Sequence, residues 1–424
     1  MIKKIFLATS VIVTLNASSF NELFKALKEN PITKIDEVSV KKAKTNKEIA
    51  TSSLYPTLNL FGSYDNYSSP NSMLPVPPNT VLHLVKNPSE PQPFSRNIYR
   101  GGVNFSMPLF VKSIYTTTKK IEYFKKSLKD KKRLNLLKNE AIIVGSDANL
   151  LYLEAMKESL DLKEKSLQET LKTLKIKVDS GRTPQSALYK IDDNLNQIKI
   201  AKNNIKIQKQ QILGTIKKLT GIELKKALDI NDFEVKKSSQ YLAIEIANNQ
   251  LQASNLTIKA QKEQLYPKVL AHGNYVFSRA KAYNNDKNIN EHFGNIGVVV
   301  DIPIFDKKDF SQIKKAKLQY TQAKLESEKL QNELDSKAQT LQQTIPLLEN
   351  SLKLYKKSIE NKENLLKIAK ISYQNDRLTT EEYLRYEDDV VSAKAKYFKA
   401  KTKLIQAKLE LAVLYGDDIE EMIK

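Results

Sequence analysis

The sequence predicts an α+β membrane protein built as two tandem repeats of strand–strand–long α-helical hairpin. Three observations predict it. Landmark residues recur at one fixed offset, long stretches almost free of Gly and Pro carry a helical apolar rhythm, and four short segments alternate apolar with polar or small residues. The composition of the 424-residue chain agrees: 41% hydrophobic and 28% charged is too apolar for disorder and too charged for a bundle of membrane helices. Cys is absent, which excludes disulfides, thiolate metal sites, cysteine nucleophiles and Cys-linked lipid anchors.

At the N-terminus, Lys3 and Lys4 precede an apolar run from Ile5 to Leu15, followed by Ala17, Ser18 and Ser19. Charged start, short apolar core and small-residue end make a secretory signal peptide, cleaved after Ala17 or after Ser19. The run is too short for a membrane-spanning helix, which needs about 20 residues. Export of the mature chain is therefore expected.

The duplication rests on paired landmarks. Pro108 pairs with Pro303, Arg182 with Arg377, and Leu219-Thr220-Gly221 with Leu414-Tyr415-Gly416, each 195 residues apart. Leu54-Tyr55-Pro56 and Leu265-Tyr266-Pro267 are 211 apart, so the first repeat holds 16 additional residues between its Tyr-Pro and Pro108. Such a period is far longer than the 20–50 residues of solenoid repeats. The organisation expected is a signal peptide over 1–19 and a first repeat over 20–220, with helix 21–54, strands 57–67 and 98–107, and helical hairpin 109–220. A linker over 221–240 precedes the second repeat over 241–416, with helix 241–265, strands 268–278 and 293–302, and hairpin 304–415. A tail over 417–424 ends the chain.

The hairpins follow from spacing. Leu134, Leu137, Ala141, Val144, Ala148, Leu151 and Ala155 recur at three and four residues, as do Leu188, Ile191, Leu195 and Ile198. Such seams specify helices packing as coiled coils. Between Leu109 and Ser180 there is one Gly and no Pro, which allows a rod of about 108 Å. The matching rod holds Pro346, where a kink or break is expected. Gly181-Arg182-Thr183-Pro184 is the first turn, with Pro184 early in the returning helix. Leu378 to Glu382 fills the same place in the second, where Thr379 or Thr380 caps the return.

The strands follow from a change of period. Leu58, Leu60, Gly62 and Tyr64 form one set; Tyr99, Gly101, Val103, Phe105 and Met107 the next. Val269, Ala271, Gly273, Tyr275 and Phe277 follow, then Gly294, Ile296, Val298, Val300 and Ile302. Strands of about 9–11 residues with one apolar face suit a tilted crossing of a bilayer. A soluble sheet with one buried face gives the same alternation, but no third apolar layer is available to cover it. A bilayer tolerates no open sheet edge, and a barrel needs about eight strands. Four strands per chain then require two, three or four copies.

In this combination the chain resembles the TolC-type outer-membrane efflux proteins. The likeness lies in the signal peptide, the two repeats, the Tyr-Pro before each first strand and the Pro-Leu-Phe or Pro-Ile-Phe after each second strand, and it covers essentially the whole mature chain. The resemblance implies a homotrimer in which the four strands of each chain join a shared 12-stranded β-barrel atop a coiled-coil α-helical barrel. It also implies a passive outer-membrane duct with a long periplasmic extension, partnered by a periplasmic adaptor (membrane fusion) protein, an inner-membrane pump and outer-membrane lipid.

That family's gate lies at the periplasmic hairpin tips. Its second-repeat pattern, Tyr-x-x-Gly then Thr then an acid, is met by Tyr373, Thr379 and Glu382, with Asp376 in place of the Gly and Arg385 where a second acid is expected. Gly181 and Arg182 in the first turn, and Arg377 and Glu381 in the second, complete the candidate tip set. A ring of Glu382 would give the mouth a negative field and some cation preference, opposed by Arg385. The other reading is that Glu381 to Asp389 is a solvated helix face.

Other features point to no chemistry. His83, His272 and His292 lack ligand spacing, and no nucleophile triad, phosphate loop or carboxylate pair stands out, so neither enzyme activity nor a cofactor or metal is expected. The formal charge of +21 comes mostly from Lys interleaved with Glu and Asp along the rods, not gathered on one face, so no nucleic-acid partner is expected. Seven of the 14 prolines lie between Pro70 and Pro93, within the loop over 68–97, which is a lid, a recognition target or variable surface. Besides a drug-efflux duct, the exit duct of a type I protein-secretion system and a coiled-coil scaffold without a pore remain open.

Overall fold

The computed structural model describes residues 19–236 and 240–423. The expected signal peptide lies outside the described residues, apart from Ser19. The elements in order are α1 (Phe20–Glu29), α2 (Pro31–Ser52), β1 (Thr57–Ser72), α3 (Pro78–Lys86), β2 (Phe94–Phe110), α4 (Lys112–Asp179), α5 (Ser186–Thr220), α6 (Leu242–Glu263), β3 (Lys268–Lys281), β4 (Asn288–Asp301), α7 (Lys307–Gln374), α8 (Thr380–Tyr415) and α9 (Ile419–Met422). The duplication is visible in these bounds. Both ends of α4 and α7 are 195 residues apart, and both ends of α2 and α6 are 211 apart. Gly221 and Gly416, which end α5 and α8, share a left-handed φ of 73° and 74°, a conformation open to Gly without a Cβ penalty.

Two compact units emerge. One takes the described residues up to Val40, Leu128–Ile246 and Ser327 onward; the other takes Lys41–Ser127 and Ala247–Glu326.

The first unit is helical. Its main core joins α1 (Leu23, Phe24, Leu27) to the middle of α4 (Ile143, Val144, Leu150), the end of α5 (Ile216, Leu219) and the end of α8 (Leu409, Ala412). The helix expected over 21–54 is in fact two. Pro31 has no N–H to continue the ladder of α1, and Asn30 instead accepts from Ile32 N at 3.0 Å through its side chain, starting α2 afresh. The segment from Gly221 to Lys236 has no helix or strand, yet Ile222, Leu224, Leu228 and Phe233 are buried in this core. Leu228 N donates to Asp147 Oδ1 at 3.0 Å, tying the segment to α4. The tail holds the short helix α9, whose Ile419 is fully buried. A break at Pro346 does not occur: α7 runs through it. Pro346 lies on an exposed face, where water can satisfy the carbonyl that loses its helical partner.

The second unit is organised by a four-stranded antiparallel meander in the order β1-β2-β3-β4. Its register aligns Leu58 with Phe105, Phe105 with Gly273, and Gly273 with Ile296; one step on, Leu60, Val103, Tyr275 and Gly294 align. All four apolar sets therefore occupy one face. That face is open, with Leu60 86% and Ile296 85% exposed. Each strand is longer than expected, 14 to 17 residues, because backbone pairing continues past the apolar set, for instance Asn71 with Ser95 and Lys281 with Asn288. Register shifts fall beside Pro70 and Pro108, where a ladder donor is missing.

The proline-rich segment is structured. It contains α3, and Asn284 of the second repeat donates to the carbonyls of Pro88 and Glu90 at 2.9 and 2.7 Å. Met73 is buried against Ile98, Ala280 and Ile289, which all lie on the polar face.

Candidate gate at the helical hairpin tips

Both hairpins turn by the same backbone device. At the end of α4, Gly181 N–H reaches Val178 O at 2.9 Å and Arg182 N–H reaches Lys177 O at 2.8 Å. At the end of α7, Asp376 N–H reaches Tyr373 O at 3.2 Å and Arg377 N–H reaches Ser372 O at 2.9 Å. These are Schellman closures around a left-handed residue. Gly181 has φ +71°, and Asp376, its repeat counterpart, has φ +55°. Asp is among the few residues with a side chain that adopt this conformation readily. The recurrence of Arg182 and Arg377 marks the closing residue of each turn, with the side chains exposed.

The return helices start differently. Gln185 gives α5 no side-chain cap, and Pro184 precedes the helix instead of lying inside it. Thr379 caps α8 with a full capping box. Its Oγ1 accepts from Glu382 N at 3.2 Å, and Glu382 Oε2 accepts from Thr379 N at 2.8 Å. The backbone N–H of Thr379 holds the Glu382 carboxyl below the usual carboxylate range, and the Thr379 hydroxyl adds to this. Glu382 is thus engaged with the helix end.

Lysines of the first hairpin meet acids of the second. Lys177 pairs with Asp376, Lys190 with Glu381 at 3.0 Å, and Lys163 with Asp388. The bond from Lys190 is the main reason the Glu381 carboxyl is held low. Tyr373 stacks on Tyr383 with centroids 4.8 Å apart, and Lys177 Nζ lies 5.6 Å from the Tyr373 ring centre. Tyr383 donates to Glu387 Oε1 at 2.8 Å and shares a hydrogen bond of 2.9 Å with Ser166. Burial pushes the Glu387 carboxyl up, against hydrogen bonds from Ser166 and Tyr383. Its second oxygen is buried, with no hydrogen-bond partner among the described residues. Leu384 is buried among Leu160, Leu167, Leu174 and Ile191 of the first hairpin.

A groove of about 970 Å³ between the tips is lined by Lys177, Arg182, Lys190 and Arg385 and by Asp193, Asp376, Glu381 and Asp388. Four basic and four acidic side chains balance, so a single chain presents no acidic field there. Tyr373, Thr379, Glu381, Arg385 and Arg182 come together around this groove. Sequence reasoning missed Lys163, Ser166, Lys177 and Lys190. The one available signal was Tyr383-x-x-x-Glu387, the spacing of a side-chain pair on one helix face.

The fold defines the class. The chain has the architecture of outer-membrane channel chains of the TolC type, and several solved structures share it. The outer membrane channel CmeC of Campylobacter jejuni superposes with a TM-score of 0.79 at 17% identity, covering 93% of this chain and 85% of that one. The outer membrane protein VceC of Vibrio cholerae gives 0.75 at 15%, covering 94% and 96%. The open state of the MtrE outer membrane channel of Neisseria gonorrhoeae gives 0.74 at 15%, covering 94% and 89%. At these identities the likeness is one of fold. No family model and no curated protein matches the chain in sequence.

Proposed function

We propose that the chain is an outer-membrane exit duct: a passive channel, not an enzyme, that forms a homotrimer with a shared 12-stranded barrel. The observation that carries this reading is the sheet. Its exposed apolar face suits lipid, and β1 and β4 are edges that pair with no other strand among the described residues. In a bilayer each unpaired backbone group costs several kcal/mol, so the edges must meet those of other copies. Three copies fit the twelve strands of the family resembled. No described helix is long and apolar enough to cross a membrane.

The duct works as the outer component of a tripartite efflux system, its hairpin tips docking a periplasmic adaptor and an inner-membrane pump that supplies the energy. The cross-hairpin ion pairs hold the two hairpin tips together, and docking has to break them. Fractionation followed by planar-bilayer recording tests the duct. A heat-sensitive trimer in the outer membrane that conducts ions supports it; a soluble, non-conducting species contradicts it. Deleting the gene then separates efflux from secretion: increased sensitivity to small toxic compounds supports efflux, and loss of a secreted protein without that sensitivity contradicts it.

A further inference from the structure

The polar face of the sheet carries a pattern that its outward alternation hides. Asn59 pairs with Asn104, Asn104 with Asn274, and Asn274 with Asn295. One asparagine from each strand thus stands in a single transverse row, opposite to the face that carries Leu58, Phe105 and Ile296. Asn59, Asn104 and Asn295 are exposed and Asn274 is half-buried, its Oδ1 buried with no hydrogen-bond partner among the described residues. Among the described residues none of the four carboxamides bonds another, so the row is not spent on cross-strand hydrogen bonds. It is also free of formal charge, whereas a row farther along the same face contains Arg100 and Glu291 beside Ser63 and Ser278.

We propose that these four residues form a carboxamide belt lining the lumen, a solute-contacting site for hydrogen-bonding molecules of either charge sign. The inference rests on the duct reading above: three chains would supply twelve side chains at one level. A carboxamide offers both donors and an acceptor, so the belt can replace part of the hydration of cations, anions and neutral polar solutes alike. Charge selectivity has to arise elsewhere along the path.

The test uses the full-length chain in planar bilayers, with KCl as the probe. Asn104→Asp adds three negative charges to the belt of a trimer and Asn104→Lys three positive ones. At about 0.1 M salt, charges about 10 Å from the axis should shift the cation-to-anion permeability ratio about fivefold, in opposite directions for the two variants. Opposite shifts are not expected of a purely structural residue. Because the chain lacks Cys, accessibility gives a second readout that tolerates weak folding: Asn104→Cys and Asn295→Cys should react with a charged, membrane-impermeant thiol reagent, and Phe105→Cys and Ile296→Cys should not. A wild-type pore with an unmoved permeability ratio in both charge variants, or equal labelling of the two faces, overturns the belt while leaving the duct. A wild-type chain that forms no pore overturns both.

Discussion

Replacing Lys163 with Met should loosen the contact between the hairpin tips and raise the open probability of the pore. The Lys163 side chain is 9% exposed, its partner Asp388 57%, and the buried Glu387 carboxyl stands beside it. Two unit charges about 4 Å apart interact by about 4 kcal/mol at an effective dielectric of 20, and by about 1 kcal/mol in water. The half-exposed Asp388 places the pair between these limits. Desolvating Lys163 offsets part of the gain, which leaves about 1–2 kcal/mol. At about 1.4 kcal/mol per factor of ten, the closed-to-open ratio should fall about 5- to 30-fold. Met retains the apolar stem against Leu162 and Val391, which line the same cavity. Lys190 and Glu381 provide the control, because both side chains are 64% exposed and water screens such a pair. Lys190→Met should therefore change the ratio far less than Lys163→Met does. Single-channel recording at moderate salt reads both. Equal effects of the two variants, or no effect of Lys163→Met, would refute the link between burial and latch strength.

Other outcomes follow from the same geometry. Burial raises the Asp147 carboxyl from the ordinary 3.8 to about 7, against the Leu228 N–H that favours its charged form. The native state then binds this proton more tightly than the unfolded chain does, so the contribution of Asp147 is most favourable below about pH 4 and is lost as pH rises to about 7. Asp147→Asn should remove that slope and raise stability at pH 8 by up to about 4 kcal/mol; thermal unfolding curves with the same pH dependence as wild type would falsify this. Thr379→Ala removes the capping box of α8 and should cost about 1 kcal/mol, whereas Gln185→Ala, at a helix start with no side-chain cap, should leave the melting temperature unchanged. Gly181→Ala places a Cβ at φ +71° and should cost about 1–2 kcal/mol, read as a lower melting temperature.

Much of the fold was legible because two kinds of regularity survive in the sequence. The 195-residue offset exposed the duplication, and the period-two sets identified which side chains share a face before any register was known. Within the tips, a threonine cap at Thr379 or Thr380 was readable, while the choice of Thr379 and its box with Glu382 appear only in the structure. The breaks were harder. Pro31 ends a helix that apolar spacing alone would continue, while α7 runs through Pro346, which lies on an exposed face. Local pattern cannot tell these apart. The latch itself was hidden for a different reason: Lys163 and Asp388 are 225 residues apart, and their meeting depends on how one hairpin packs against the other. The hydrogen bonds that the Glu382 carboxylate accepts from the Thr379 N–H and hydroxyl were not part of the expected acidic ring.

The proposed duct requires three chains to complete one barrel. Native mass measurement of the detergent-extracted, outer-membrane form tests it most directly. A species of three chains, collapsing to one on heating, is the predicted result. A stable monomer, or an assembly whose chain number is not three, would contradict it.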